Sequence, residues 1–332
     1  MRGTRGIFIF LIGGFIFLTA YICKRYNIEL NVHEIGDFAT IFTSIILDAM
    51  PFIFIGSLAS AFIQIFVSQE IIEKFIPRSP ILGYIFAALA GLIFPVCECA
   101  IVPITRRLIS KGVPIGLGVT FMLAVPIVNP VVIMSTYYAF YDKVSMVLVR
   151  TIGGFVCAII IGIIMDLLCK EEKRILSGSV DFKNLCNCGC TAIVEEGTSK
   201  LRALIEHTNR ELLDITRYLI FGAFLSSAFQ VIASHKGFEF MSENNVIVII
   251  FMMFLAFSLS LCSEADAFVG KTFYSTYSFS SVAAFLLIGP MLDLKNLIML
   301  SGAFNKQFIS KLCFVTLGVV FIVSCLFMIC GL

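Results

Sequence analysis

Residues 95–103 read "PVCECAIVP", two thiols and a carboxylate fenced by prolines. On their left, residues 83–94 read "GYIFAALAGLIF", an apolar stretch. Proline removes a backbone donor and restricts the residue before it, so Pro95 and Pro103 predict a break or a hairpin where this segment ends. In an extended stretch residues i and i+2 point the same way. Cys97 and Cys99 then share one face and Glu98 takes the other. On a continuous helix the two thiols diverge by about 200°. The unwound reading makes a usable thiol pair. The competing reading is that the apolar segment simply stops and Glu98 reaches out to water.

Working outward, the 332-residue chain is 59% hydrophobic and only 14% charged, too little charge to cover a soluble surface. Nine apolar segments stand out, at roughly 7–23, 41–67, 81–96, 113–140, 146–168, 212–234, 246–262, 279–303 and 308–331. They predict an all-α polytopic membrane protein with 8–9 transmembrane segments. Residues 1–34 read as a retained first helix and short loop, because the apolar core lacks the small-residue cleavage site of a signal peptide. Residues 169–211 form the one long polar stretch. Its lysines and arginines place it in the cytoplasm and the chain in the cytoplasmic membrane. Within it, residues 192–213 set Leu201, Leu204, Ile205 and Leu212 on one stripe, as an interfacial helix would.

Residues 35–168 and 212–332 resemble each other. Asp48 and Gly56 find Asp214 and Gly222, Cys97 finds Cys262, and Pro126 and Asn129 find Pro290 and Asp293, all at an offset of about 165 residues. An offset that stays in register predicts two duplicated permease halves with broken helices at matched places. Whether the halves are parallel or inverted depends on whether each crosses an even or an odd number of times.

Ionisable groups inside a membrane are costly and tend to face a cavity or a partner. Glu98, Glu264, Asp266 and Asp293 are the carboxylates at the breaks, with Arg106, Arg107, Arg217 and Lys271 as candidate counter-ions. With Cys97, Cys99, Cys262 and Asn129 they make the candidate substrate site. Asn129, between Pro126 and Pro130, sits where freed carbonyls would face a ligand, or at a simple proline kink. Asp48 and Asp214 are read either as N-terminal helix caps or as further relay carboxylates. In the polar stretch, Cys186, Cys188 and Cys190 form a C-x-C-x-C run that suits a soft metal ion, or an inert linker.

The run "FPVCECAIVPITRRLISKGVPIGLGVTFMLAVPIVNPVV" at 94–132, with "CSEADAF" at 262–268, resembles the predicted permease family that includes the ArsP-type organoarsenical efflux permeases. The resemblance covers the chain from about residue 35 onward. It implies a permease, with efflux of trivalent organoarsenicals or heavy-metal resistance among its relatives. Glu98 between the cysteines leans the substrate toward a cation or metal complex.

The expectation is therefore a secondary efflux permease, not an enzyme. A soft thiol-binding species would bind the cysteines while the carboxylates couple transport. The chain has no phosphate-binding glycine loop and needs no cofactor. Its partners are the bilayer and a small-molecule or ion substrate, not nucleic acid; a homo-oligomer stays open. A channel or complex subunit is the alternative class. A thiol oxidoreductase fits poorly, because C-x-C closes a strained ring where exchange enzymes use C-x-x-C.

Overall fold

The computed structural model of the chain describes residues 32–66, 80–93, 98–169, 175, 200–234, 246–274 and 276–330. Among them no strand occurs and nearly every residue is helical. Helix satisfies each backbone group within its own segment, which a lipid-facing chain requires. The helices are α1 (Val32–Phe66), α2 (Pro80–Leu89, extended by a 3-10 turn at Ala90–Leu92), α3 (Glu98–Ser110), α4 (Ile115–Val128), α5 (Pro130–Ala139) and α6 (Val144–Cys169). They continue as α7 (Lys200–Ser234), α8 (Val246–Leu259), α9 (Ser263–Phe273), α10 (Phe279–Met291), α11 (Leu294–Ala303) and α12 (Lys306–Ile329).

Four stretches are long and apolar enough to cross a bilayer among the described residues: Ile35–Ile63, Val144–Cys169, Phe279–Ala303 and Lys306–Ile329. A fifth arises if α4 and α5, bent by 42° at Asn129, count as one. The segments at 81–96 and 246–262 appear as the shorter helices Ile81–Leu92 and Val246–Leu259. The segment at 7–23 lies outside the described residues. The described residues are thus nearly all helical and hold four to five apolar spans.

The core is built on α4 and α10. Every residue of α4 from Gly116 and of α10 from Ser280 is buried. Outer helices turn large apolar side chains outward, such as Phe54 and Phe62 on α1 and Phe314 and Ile322 on α12. In lipid such faces need no polar cover.

Close contacts fix the helix directions. A Cβ at Gly116 would come 2.6 Å from the Tyr84 hydroxyl, and one at Gly91 would come 2.9 Å from Val125 Cα. Thus α2 runs parallel to α4. Ile109 packs on Gly118, and the chain turns back at Gly112, whose φ of +98 suits glycine. Thus α3 runs against α4, and α2 and α3 point in opposite directions along it. Asp266 lies at Gly289 and Leu286 at Gly270, so α9 runs against α10.

Two long-range pairs are also antiparallel. Phe38 and Phe42 meet Phe224, while Ala49 and Ile53 cluster with Leu219, so α1 opposes α7. Gly153 lies beside Phe327, while Lys311 Nζ donates to the Leu168 carbonyl at 3.2 Å, so α6 opposes α12. Finally α3 packs on α11 and α9 on α5, which ties the two halves together reciprocally.

Three expectations change. The extended reading of 97–99 fails at Glu98, where α3 begins and runs through Pro103. Pro103 is the sixth residue of α3, where it removes one i→i−4 hydrogen bond, yet the helix continues through it to Ser110. Asp48 and Asp214 are not caps: each lies inside a 35-residue helix, at an exposed position. The interfacial stripe and the sixth apolar segment merge, because α7 is continuous from Lys200 to Ser234. The 186–190 cysteines lie outside the described residues, as does Cys97.

The α4–α6 contact is the tightest of these packings. A Cβ at Gly162 would fall 1.9 Å from Thr120 Oγ1 and 2.7 Å from the Gly116 carbonyl. Gly162→Ala is expected to lower the thermal stability of the detergent-purified protein by about 1–3 kcal/mol. Adding Thr120→Ala should restore part of that loss and not all, since the Gly116 carbonyl stays in place.

Candidate functional site

Each broken span ends on a cap. After Pro126, α4 stops at Asn129, whose side chain accepts from the Val131 backbone N–H at 2.9 Å and starts α5. After Pro290, α10 stops at Leu292, and Asp293 accepts from the Asn296 N–H and starts α11. A short polar side chain at this position satisfies a helix donor that would otherwise be orphaned. Asn129 and Asp293 are both buried, so these are interior breaks and not surface ends.

Five ionisable side chains collect around the breaks: Glu98, Arg150, Asp266, Asp293 and Lys295, each between 1% and 4% exposed. Lys295 Nζ lies 3.1 Å from Glu98 Oε1 and 3.6 Å from Asp293 Oδ2. Its backbone N–H donates to Ser260 Oγ at 3.2 Å. Ser260 ends α8 with φ at +48, in the left-handed region that a non-glycine residue rarely adopts. That strain, on the order of 1–3 kcal/mol, places the end of α8 beside the start of α11. Gly222 on α7 backs the same point, since a Cβ there would come 3.1 Å from Lys295 Cα.

The second group centres on Arg150. It sits on a π-turn, Val149–Gly153, inside α6. Such turns locally widen a helix and recur at functional sites. Arg150 Nη1 donates to Thr136 Oγ1 at 2.8 Å and Nη2 to the Ser263 carbonyl at 2.6 Å. Asp266 Oδ2 stands 4.0 Å from Nη2, a loose pair. Arg150 therefore holds the start of α9 against α5. The two groups feel each other: Glu98 lies within electrostatic range of Asp266, and Arg150 of Glu98.

Charge placement follows helix polarity. Glu98 is the first residue of α3, Asp266 lies in the first turn of α9, and Asp293 caps α11. The positive ends of three helices thus support three carboxylates that a membrane interior would otherwise reject. Even so, Glu98 Oε2, Asp266 Oδ2, Asp293 Oδ2 and Asn296 Oδ1 accept no hydrogen bond.

Of the residues singled out by sequence, the structure brings together Glu98, Asp266 and Asp293. Cys99 is buried and Cys262 half-buried, and both lie within electrostatic range of Lys295. Glu264 is half-exposed, near Cys262 and Arg150. Asn129 acts as a cap. Among the described residues, no three His, Cys, Asp or Glu groups are placed to hold a metal ion.

The expected counter-ions are replaced. Lys271 donates to Asp142 at 2.5 Å, half-exposed, and Arg217 pairs with exposed Asp214. Arg106 and Arg107 sit on the partly exposed end of α3, about 12 Å along the helix from Glu98. Lys295 and Arg150 take their role. Both carried a legible signal, a lone cation inside the apolar segments 279–303 and 146–168.

A family described as "Predicted permease" matches residues 34–329 of the chain. Among curated proteins, the chain is 42% identical over 272 residues to UPF0718 protein YcgR of Bacillus subtilis, across 81% of this chain and 90% of that one. It is 38% identical over 290 residues to a Streptococcus mutans protein named "Putative two-component membrane permease complex subunit", across 86% and 93%. No solved structure matches the chain.

Removing one member of a buried ion pair strands the other. Arg150→Met is expected to destabilise the purified protein by about 3–5 kcal/mol. Arg150→Met with Asp266→Asn removes both charges and should recover most of the loss. Thermal melts of the three proteins in one detergent measure it; a double variant no better than the single would show that Arg150 acts through Thr136 and Ser263 alone.

Proposed function

The chain belongs to this predicted permease family, and on that premise we propose that it is a secondary efflux transporter for a soft, thiol-binding metal or metalloid species. The carrying observation is the buried Glu98–Lys295 pair, set where a broken span meets the start of α3. Charges in an apolar helical protein mark ion or substrate pathways, and transporter sites gather at interrupted helices. Glu98, Asp266 and Asp293 couple transport to an ion gradient. Cys99 and Cys262 flank them, and Cys97, next to Glu98 in sequence, is proposed as the third thiol. Thiolates suit soft ions and trivalent arsenic, and fewer than four of them leave the site open for release.

Two inverted halves are part of the proposal. The elements α1–α6 recur in order as α7–α12. Supporting inversion, α1 opposes its counterpart α7, and α6 opposes α12. Corresponding helices run antiparallel only when each half crosses the membrane an odd number of times. The pairs α2–α3 and α8–α9 are each built of helices about 20 Å long or less, short of the roughly 30 Å apolar layer. They are read as re-entrant hairpins, which leaves three crossings per half. That count is lower than the 8–9 segments read from apolar runs.

A second reading draws on the name of the Streptococcus relative: this chain is one subunit of a two-component permease. Co-purification of a second membrane protein in fixed ratio would favour it.

Cells making the protein are expected to accumulate less of a trivalent organoarsenical or a soft heavy metal than cells without it. Cys99→Ser and Glu98→Gln should each cut the efflux rate at least about tenfold, the equivalent of about 1.4 kcal/mol. Unchanged accumulation across a panel of both compound classes, with the protein verified in the membrane, would sink the substrate assignment.

A further inference from the structure

The buried cluster is one positive charge short. Glu98, Asp266 and Asp293 carry three negative charges when ionised, and Lys295 and Arg150 carry two positive ones. The titratable groups facing Lys295 are Glu98 and Cys99 from α3, Cys262 and Asp266 from the α9 region, and Asp293 from its own cap. Thiols are neutral at ordinary pH and do not change the sum. An uncompensated charge in an apolar interior is expensive, so the cluster favours any ligand that supplies the missing one.

The hydrogen-bond inventory points the same way. The atoms of the cluster that make no hydrogen bond are four acceptor oxygens, on Glu98, Asp266, Asp293 and Asn296, against one donor, Arg150 Nε; of the four, Asp266 Oδ2 and Asp293 Oδ2 have only long ion-pair contacts. A ligand that satisfies them must bring positive charge or protons.

The two cations differ in freedom. Arg150 is held by Thr136, Ser263 and Asp266. Lys295 is a compact ammonium on a flexible stem, and it sits between Glu98 Oε1 and Asp293 Oδ2.

We propose that this cluster binds one monovalent positive charge, a proton or an alkali cation, on Glu98, in competition with the Lys295 ammonium, which stays in the cluster on Asp293. This names the coupling ion class of the transporter reading and rests on it. Glu98 and Lys295 belong to different halves, so the exchange changes the tie between them. With the ligand bound, Lys295 is released from Glu98 and α3 is no longer pinned to α11. When the ligand leaves, Lys295 returns and closes the contact.

The test uses the full chain in lipid nanodiscs and needs no transport, so it separates from the transport reading. Melting temperature is followed from about pH 5.5 to about pH 8.5 in choline chloride, then at fixed pH in sodium or potassium chloride. A ligand that binds only the folded state raises the melting temperature. A rise as pH falls identifies protons. A saturable rise with sodium or potassium, absent with choline, identifies an alkali cation.

Lys295→Met removes the competitor. If the ammonium occupies the site nine-tenths of the time, the variant should bind at about tenfold lower ligand concentration, a shift of about one pH unit for protons. Glu98→Gln should flatten the response. The proposal is overturned if Glu98→Gln responds as the wild type does, or if Lys295→Met leaves the midpoint unmoved. Should Lys295→Met fail to yield monodisperse protein, the wild-type comparison with Glu98→Gln decides alone: a flattened response supports the site, an equal one removes it.

Discussion

A charged pair far from water needs more than its partner. Glu98 and Lys295 meet at 3.1 Å with almost no exposure, in a protein whose outer faces are apolar. Desolvation of two ions can exceed their mutual attraction unless further groups support them. The support comes from helix ends. Glu98 opens α3, Asp293 caps α11, and the Lys295 backbone leans on Ser260. Each of those ends exists only because a span is interrupted. The breaks, the opposed directions of α2 and α3, and the packing of α3 on α11 are therefore parts of one arrangement.

Small residues make that arrangement close enough. Gly56 lets α3 reach α1 at Ala100, Gly91 seats α2 on α4, and Gly222 lets α7 approach Lys295. Without a hydrophobic drive between helices in lipid, such contacts rely on backbones coming near one another. The Arg150 group works differently. A π-turn in α6 carries the guanidinium to three partners, on α5 and at the start of α9. One tie joins α3 to the second half and the other joins α9 to the first. They are unlike in chemistry, since one rests on a lysine that can leave and one on an arginine held at several points.

Much of the site could be read in advance, and the reasons are local. Glu98, Asp266 and Asp293 stood out because carboxylates in apolar runs are rare and costly. Pro126 and Pro290 announced the breaks, because proline acts within a few residues of itself; that Asn129 and Asp293 cap the helices that follow emerged only with the structure. The counter-ions were misassigned for the opposite reason. Lys271 is nearer in sequence to Asp266, and Arg106 to Glu98, but Arg150 and Lys295 are the cations that reach them in space; Lys295 also pairs with Asp293, two residues away. Pairing partners 197 residues apart is a matter of how α3 meets α11. The extended reading failed at Glu98 and Cys99 because α3 starts at Glu98 and continues through Pro103 despite the hydrogen bond it loses there. The cap reading of Asp48 and Asp214 failed because α1 and α7 run on through both positions.

Composition and period, taken by themselves, determined that this is a helical membrane protein, where its spans break and which carboxylates sit at the breaks. These follow from the thickness of the bilayer, the missing donor of proline and the cost of a buried charge. Only the tertiary structure decided which cation answers which carboxylate, how α2 and α3 point, and that Asp48 and Asp214 face outward. Those depend on contacts between segments far apart in the chain, and nothing in "PVCECAIVP" specifies that the carboxylate at its centre is met by a lysine at 295.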